Sequence, residues 1–373
     1  MLNPQEQTIS DITAEKTVRI KGIALILLIW HHLFGCVFLD SWISPNKNLD
    51  ILIGNSGRIC LSIFLFCSGY GIYRSYISKE SKPKTDIFQR IIKTLVSYWV
   101  VMIFEMIIYV ALGKFEFKYI PLNLFPWIND GEILYINSSW YIKLYVLILL
   151  LQPLIKLLEE TFKKKSRIID ILIYVVLPYV LMFFFIDYVN ESTYSGLFSS
   201  IISSILYTIF WFPLFAIGML FAKYEIYRKI LKLSYSFPTW ITIILSLIVC
   251  GVVIILRYIC VYHGIFEGSA LYNVYDIFFA PVFIISCLLI MDRLRFKNYY
   301  VLTYLGKKSV YYWLLSSLFY MKTSELLVTV TWPRISILIF LCQLVLLTPF
   351  VFACDWVANK IIKLIPFNHS KSE

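Results

Sequence analysis

Arg19–Phe38 reads RIKGIALILLIWHHLFGCVF. About 20 apolar residues cross the roughly 30 Å of a bilayer core, and this run is that long. The cations Arg19 and Lys21 stand at its entrance, and two adjacent histidines, His31 and His32, sit in its interior. Ionisable side chains inside a membrane helix are costly and are functional candidates by default. Imidazole is also the side chain best suited to moving protons near neutral pH. The remaining chain is therefore read as a membrane scaffold around this stretch.

Composition supports that reading. The 373 residues are 60 % hydrophobic and 15 % charged, and mean hydropathy is +0.76. Soluble domains average about 45–50 % apolar and about 25 % charged. The chain is thus expected to be an all-α, polytopic integral membrane protein. Its net charge of +11 does not imply nucleic acid, because the basic residues form short clusters between apolar runs, as in cytoplasmic loops. The eight cysteines all fall in apolar runs without zinc or redox spacing, so they read as small buried hydrophobes and no metal is expected. Met1–Val18 is polar, so no cleavable signal is expected and the first helix is retained as part of the fold.

Ten membrane helices are expected, at about 19–39, 57–77, 91–112, 139–158, 168–187, 200–222, 238–262, 273–291, 302–321 and 335–357. They divide the chain into a tail (1–18), a membrane domain (19–365) and a second tail (366–373). With the N-terminus in the cytoplasm, 26 of the 34 Lys and Arg fall in cytoplasmic segments. Adding or removing one helix would invert every later loop and destroy the bias, so both termini are expected inside. The longest loop, 113–138, then lies outside; it carries Pro121, Pro126, Asp130 and Glu132 and is long enough to cover an outer cavity.

Several side chains stand out against this frame. Lys21 and His32 are 11 residues apart, which places them within roughly 20° of each other around a helix and roughly 16 Å apart along it. They line one wall, and His31 points about 100° away. Arg90 and Lys93 share a helix face at an expected cytoplasmic mouth, where two cations suit the phosphates of a nucleotide-like donor. Arg58, near an outer helix end, is read equally as an anchor for an anionic acceptor or a snorkelling cation. Glu105 lies deep in the third helix as a partner for a histidine or a cation. Trp140 opens the fourth helix at the outer interface, where tryptophan concentrates. Salt bridges or interfacial placement account for Arg257, Asp276 and Asp355.

Together these stretches resemble the acyltransferase family 3 of integral membrane proteins. RIKGIALILLIWHH is similar to that family's first helix, a basic residue and ten others before a histidine, with Lys21 and His32 in those places. SGRICLSIFLFCSGYGI resembles its glycine-led second helix, Arg90-Ile-Ile-Lys93 its Arg-x-x-Arg pattern, SSWYIKLY a middle-helix start, and LTYLGKKSVYYWLLSS a late helix. Many members carry a histidine in that late helix; here Ser316 takes its position, which leaves the first helix as the main candidate for proton transfer.

The resemblance implies a ten-helix acyltransferase drawing on cytoplasmic acyl-coenzyme A, often acetyl-CoA. The acyl group goes to a hydroxyl of an envelope or exported polysaccharide, or of a lipid-linked glycan. Arg90, Lys93 and Lys21 would hold the donor. His32, with His31 as its substitute, would be the general base or carry the acyl group. Arg58, Trp140 and Glu105 would face the acceptor. The abundance of Ile, Lys, Asn and Tyr suits a low-GC bacterium, with the cell membrane as the location. The competing expectation is an exporter of a polysaccharide or a small acylated metabolite. Exporters usually carry internal repeats with helices broken near the midplane, and the sequence shows no such repeat.

Overall fold

The computed structural model describes residues 11–35, 44–77, 87–113, 115, 117, 120, 124, 140–161, 166–190, 197–263, 274–294, 299–320 and 332–366. Most of the 113–138 loop, including Asp130 and Glu132, lies outside the described residues, as do Cys36 and Ser139.

The chain folds into helices throughout. The first, α1 (Ala14–Trp30), runs into a π-helical turn at His31–Gly35. Next come α2 (Lys47–Gly57), α3 (Cys60–Ile72) with a π turn at Tyr73–Ile77, and α4 (Ile87–Ala111). Then follow α5 (Trp140–Thr161), α6 (Arg167–Ile171) leading through a π turn into α7 (Leu177–Asn190), and α8 (Leu197–Lys223). A short basic helix, α9 (Ile226–Ser234), precedes α10 (Thr239–His263) and α11 (Asp276–Leu294). The chain closes with α12 (Tyr300–Lys307), α13 (Ser309–Tyr320) and α14 (Ser336–Leu364).

Among the described residues, nine helical spans are long and apolar enough to cross a membrane. The tenth expected segment, 302–321, is present as two pieces, α12 and α13, broken at Lys308. The protein is therefore an all-α, multi-pass membrane protein. Apolar side chains cover its outer face as well as its core: Phe184, Val345 and Phe352 are exposed, as a protein dissolved in lipid requires.

Two boundaries differ from the sequence expectation. The first helix starts five residues early, at Ala14, because Thr13 caps it with its side-chain oxygen on Lys16 N at 3.2 Å and Glu15 occupies the first turn. The second span begins at Lys47 rather than at residue 57. Asn46 caps α2 by accepting from Leu49 N at 3.1 Å. The sequence KNLDILIGNSG is too polar to announce a membrane helix, and it folds inward because its polar groups have partners. Ser56 Oγ, for one, donates to the carbonyl of Ile254 on α10 at 2.9 Å.

The core of the bundle is α1, packed against α2, α3, α12 and α13. Its closest neighbour is α12. A methyl group at Gly306 would lie 3.0 Å from the Gly22 backbone nitrogen and overlap the Val18 carbonyl. Only paired glycines let the two backbones pass this near, which is the close-approach rule of membrane helices.

Ion pairs tie the helices at one end. Lys16 pairs with Asp292 at 2.7 Å, Lys223 with Glu159 at 2.7 Å and with Asp170, Arg74 with Asp11, and Lys308 with Asp355. Toward the other end, Arg257 on α10 and Asp276 on α11 form a fully buried pair at 2.6 Å. The Arg257 guanidinium also donates to the Asn55 and Ser56 carbonyls at 3.4 and 3.3 Å, and Ser62 donates to Asp276 at 2.7 Å. The pair thereby caps the end of α2 and fixes the bend at Arg58 and Ile59 that leads into α3. These contacts bear out salt bridging for Arg257, Asp276 and Asp355.

Candidate active site

A cavity of about 250 Å³ opens between α1, α3, α4, α5 and α13. Lys21 and Lys93 both line it. They come from helices far apart in sequence, so two cations facing one hollow is a product of the fold. Ser68, Thr94, Ser97 and Ser309 add hydroxyls, and Phe64, Tyr141, Tyr145 and Trp313 add rings. Along α4, Arg90, Lys93, Thr94 and Ser97 recur at the spacing of one helix face. Arg90 donates to Ser75 Oγ at 2.7 Å, and its charge bears on Tyr145 in the cavity wall, so it stands beside the cavity and outside its lining.

The histidine pair lies further along α1, in the π turn. Such turns insert one residue into a helix and are frequent at functional sites. His31 Nδ1 donates to the Gly54 carbonyl at 2.8 Å. A carbonyl only accepts, so His31 is held with its proton on Nδ1. The two imidazole centroids are 5.6 Å apart. His32 Nδ1 lies 3.5 Å from Ser316 Oγ. Ser316 gives its own proton to the Trp313 carbonyl at 2.6 Å, so it meets the imidazole with its oxygen lone pairs. That contact favours a proton on His32 Nδ1 and presents Nε2 as the base.

One face of α13 links the two regions. Ser309, Val310 and Trp313 line the cavity, and Ser316, one turn beyond Trp313, meets His32. Lys21 and His32 thus both face α13, as the shared wall expected from their spacing requires. Ser316 falls at the position where the resemblance expects a histidine, and the structure sets it against His32.

The other predicted residues divide. Arg58 is exposed in the bend between α2 and α3, and its charge bears on both His31 and His32. Trp140 is half-buried, with its ring 6.4 Å from Trp313, 5.6 Å from Tyr207 and 6.1 Å from Trp211. It backs the cavity wall without lining it. Glu105 is fully buried on α4, and its charge bears on Tyr98 and on Cys354 of α14. It is not part of the cavity lining.

Sequence reading missed Trp313, Phe64, Ser97 and the two tyrosines of α5. A faint signal existed: Ser309, Trp313 and Ser316 recur at i, i+4 and i+7. Aromatic and serine residues are too frequent in this chain for that spacing to stand out.

The cavity, its cations and the histidine pair beyond it define a membrane-embedded group-transfer enzyme. The family model described as an acyltransferase domain matches residues 19–354. The chain belongs to this family, acyltransferase family 3, and is an acyltransferase. No curated protein matches it, and no solved structure does.

Proposed function

We propose that the protein moves an acyl group, acetyl in the first instance, from cytoplasmic acyl-coenzyme A to a hydroxyl of an envelope or exported polysaccharide or glycolipid. The observation that carries this reading is the convergence of Lys21 and Lys93 on one cavity, with Arg90 beside it and His32 on the same wall of α1. Cations at the mouth suit the donor's phosphates. The roughly 16 Å from Lys21 to His32 along the helix suits an extended donor whose reactive end lies far from its charged end.

In the transfer step, His32 Nε2 takes the proton of the acceptor hydroxyl as that oxygen attacks the thioester carbon. The new C–O bond forms, the C–S bond breaks, and the coenzyme thiolate receives the proton from the imidazolium. Transient carriage of the acyl group on His32 divides the same chemistry into two steps. Arg58, exposed near the histidines, is available to an anionic acceptor. The basic, ion-paired end of the bundle is assigned to the cytoplasm with both termini, because basic residues concentrate on that side. The expected location is the cell membrane of a bacterium.

The test is acetyl ester on envelope glycan in cells carrying the intact protein, His32→Ala protein or none. Ester present only with intact protein supports the reading, provided the variant reaches the membrane in equal amount. Ester unchanged in all three overturns it.

A further inference from the structure

We infer that Trp313, stacked with Phe64 and Tyr141, closes the cavity on its histidine side and restricts the transferred acyl group to a short chain. This rests on the acyl-coenzyme A reading above and adds the class of acyl group to it.

The argument begins with order along the helices. On α13 the cavity-lining positions are Ser309, Val310 and Trp313, and the next residue on that face, Ser316, is the one that meets His32. On α1 the lining position is Lys21, and His32 lies three turns further on. Trp313 therefore stands between the cations and the base. The lining residues of α3 and α5 agree. Phe64 lies one turn from Ser68 and Tyr141 one turn from Tyr145, and both of these rings meet Trp313. The Phe64 and Trp313 rings stack at 5.3 Å, and those of Tyr141 and Trp313 approach to 4.2 Å.

Three aromatic side chains from three helices thus form one wall. All three are buried: Trp313 is 6 % exposed, Phe64 4 % and Tyr141 9 %. Such a wall does not yield a methylene at a time, because packed interiors resist extra volume. The hollow in front of it, about 250 Å³, is below the roughly 300–1,000 Å³ of ordinary small-molecule sites. It admits the slender arm of a donor ending in two or three carbons. A fatty chain has nowhere to lie unless Trp313 is removed.

The experiment uses the full-length protein in nanodiscs and measures displacement of radiolabelled acetyl-CoA by unlabelled acetyl-, butanoyl- and octanoyl-CoA. For the wild type, affinity is expected to fall as the chain lengthens. In Trp313→Ala, the affinity for octanoyl-CoA relative to acetyl-CoA is expected to rise by about tenfold or more, the scale on which a hydrophobic pocket discriminates chain length. Phe64→Ala, which opens the same wall from another helix, provides the same comparison if Trp313→Ala does not reach the membrane. Octanoyl-CoA competing as well as acetyl-CoA in the wild type would overturn the inference. So would an unchanged ratio in the variants. Absence of any acetyl-CoA binding to the wild type would instead overturn the donor reading on which it rests.

Discussion

His31 gives its Nδ1 hydrogen to the carbonyl oxygen of Gly54, 2.8 Å away. The contact exists because α2 lies directly on the π turn, where a methyl group at Gly54 would sit 2.6 Å from the Gly35 nitrogen. Gly54→Ala should push α2 off the turn and release His31 from its acceptor. The expected cost is about 1–3 kcal/mol of stability, the range for overpacking a tight site. Thermal unfolding in nanodiscs measures it. Acyl transfer should drop as well, and full activity with an unchanged melting temperature would show that the turn tolerates the displacement.

Ser316 offers His32 a lone pair and thereby favours the tautomer with Nε2 as base. Ser316→Ala removes a hydrogen bond worth about 1 kcal/mol and should lower kcat by about five- to tenfold with KM for the donor unchanged. Ser316→Thr keeps the hydroxyl and should restore most of the rate. A loss that threonine does not rescue would point to packing instead of orientation.

Lys21 and Lys93 should act on donor binding more than on the chemical step. Each charge-assisted hydrogen bond is worth about 1.5–3 kcal/mol, so Lys21→Ala or Lys93→Ala should raise KM for acyl-CoA by about 10- to 100-fold. Lys93→Arg, which keeps the cation, should recover most of that. Steady-state kinetics at two salt concentrations checks the electrostatic origin, because the wild-type KM should rise with salt more than that of either alanine variant.

Arg257 and Asp276 hold the bend at Arg58 from a fully buried position. Removing one partner strands the other charge, at a cost of about 3–5 kcal/mol. Arg257→Ala should therefore lower the melting temperature sharply, and Arg257→Ala combined with Asp276→Ala should be less destabilised than the single variant. A double variant as unstable as the sum of the singles would mean that the two residues act independently.

Much of this architecture was legible because lipid imposes a simple code. Apolar runs of span length had to be helices, and ionisable residues inside them had to face protein. Lys21 and His32 could be placed on one wall from their spacing alone. The partners could not. Nothing in KNLDILIGNSG distinguishes a polar loop from a helix until Arg257, over 200 residues later, caps its end and Gly54 meets Gly35. Trp313 and Ser316 were hidden differently, since their importance lies in what α3, α5 and α1 bring to them. Glu105 shows the opposite error: a buried carboxylate was expected near a histidine or cation, and it instead neighbours Tyr98 and Cys354.

The break at Lys308 separates two duties within one crossing of the bilayer. Its first piece, α12, is clamped to α1 by Gly22 and Gly306, backbone on backbone. Its second piece, α13, carries Ser309, Trp313 and Ser316. A continuous helix would have to pry α1 open whenever Trp313 moved. With a joint between the pieces, the half that meets the donor can tilt while the half that anchors the bundle stays seated. Turnover then does not have to disturb the clamp that keeps the first helix in place.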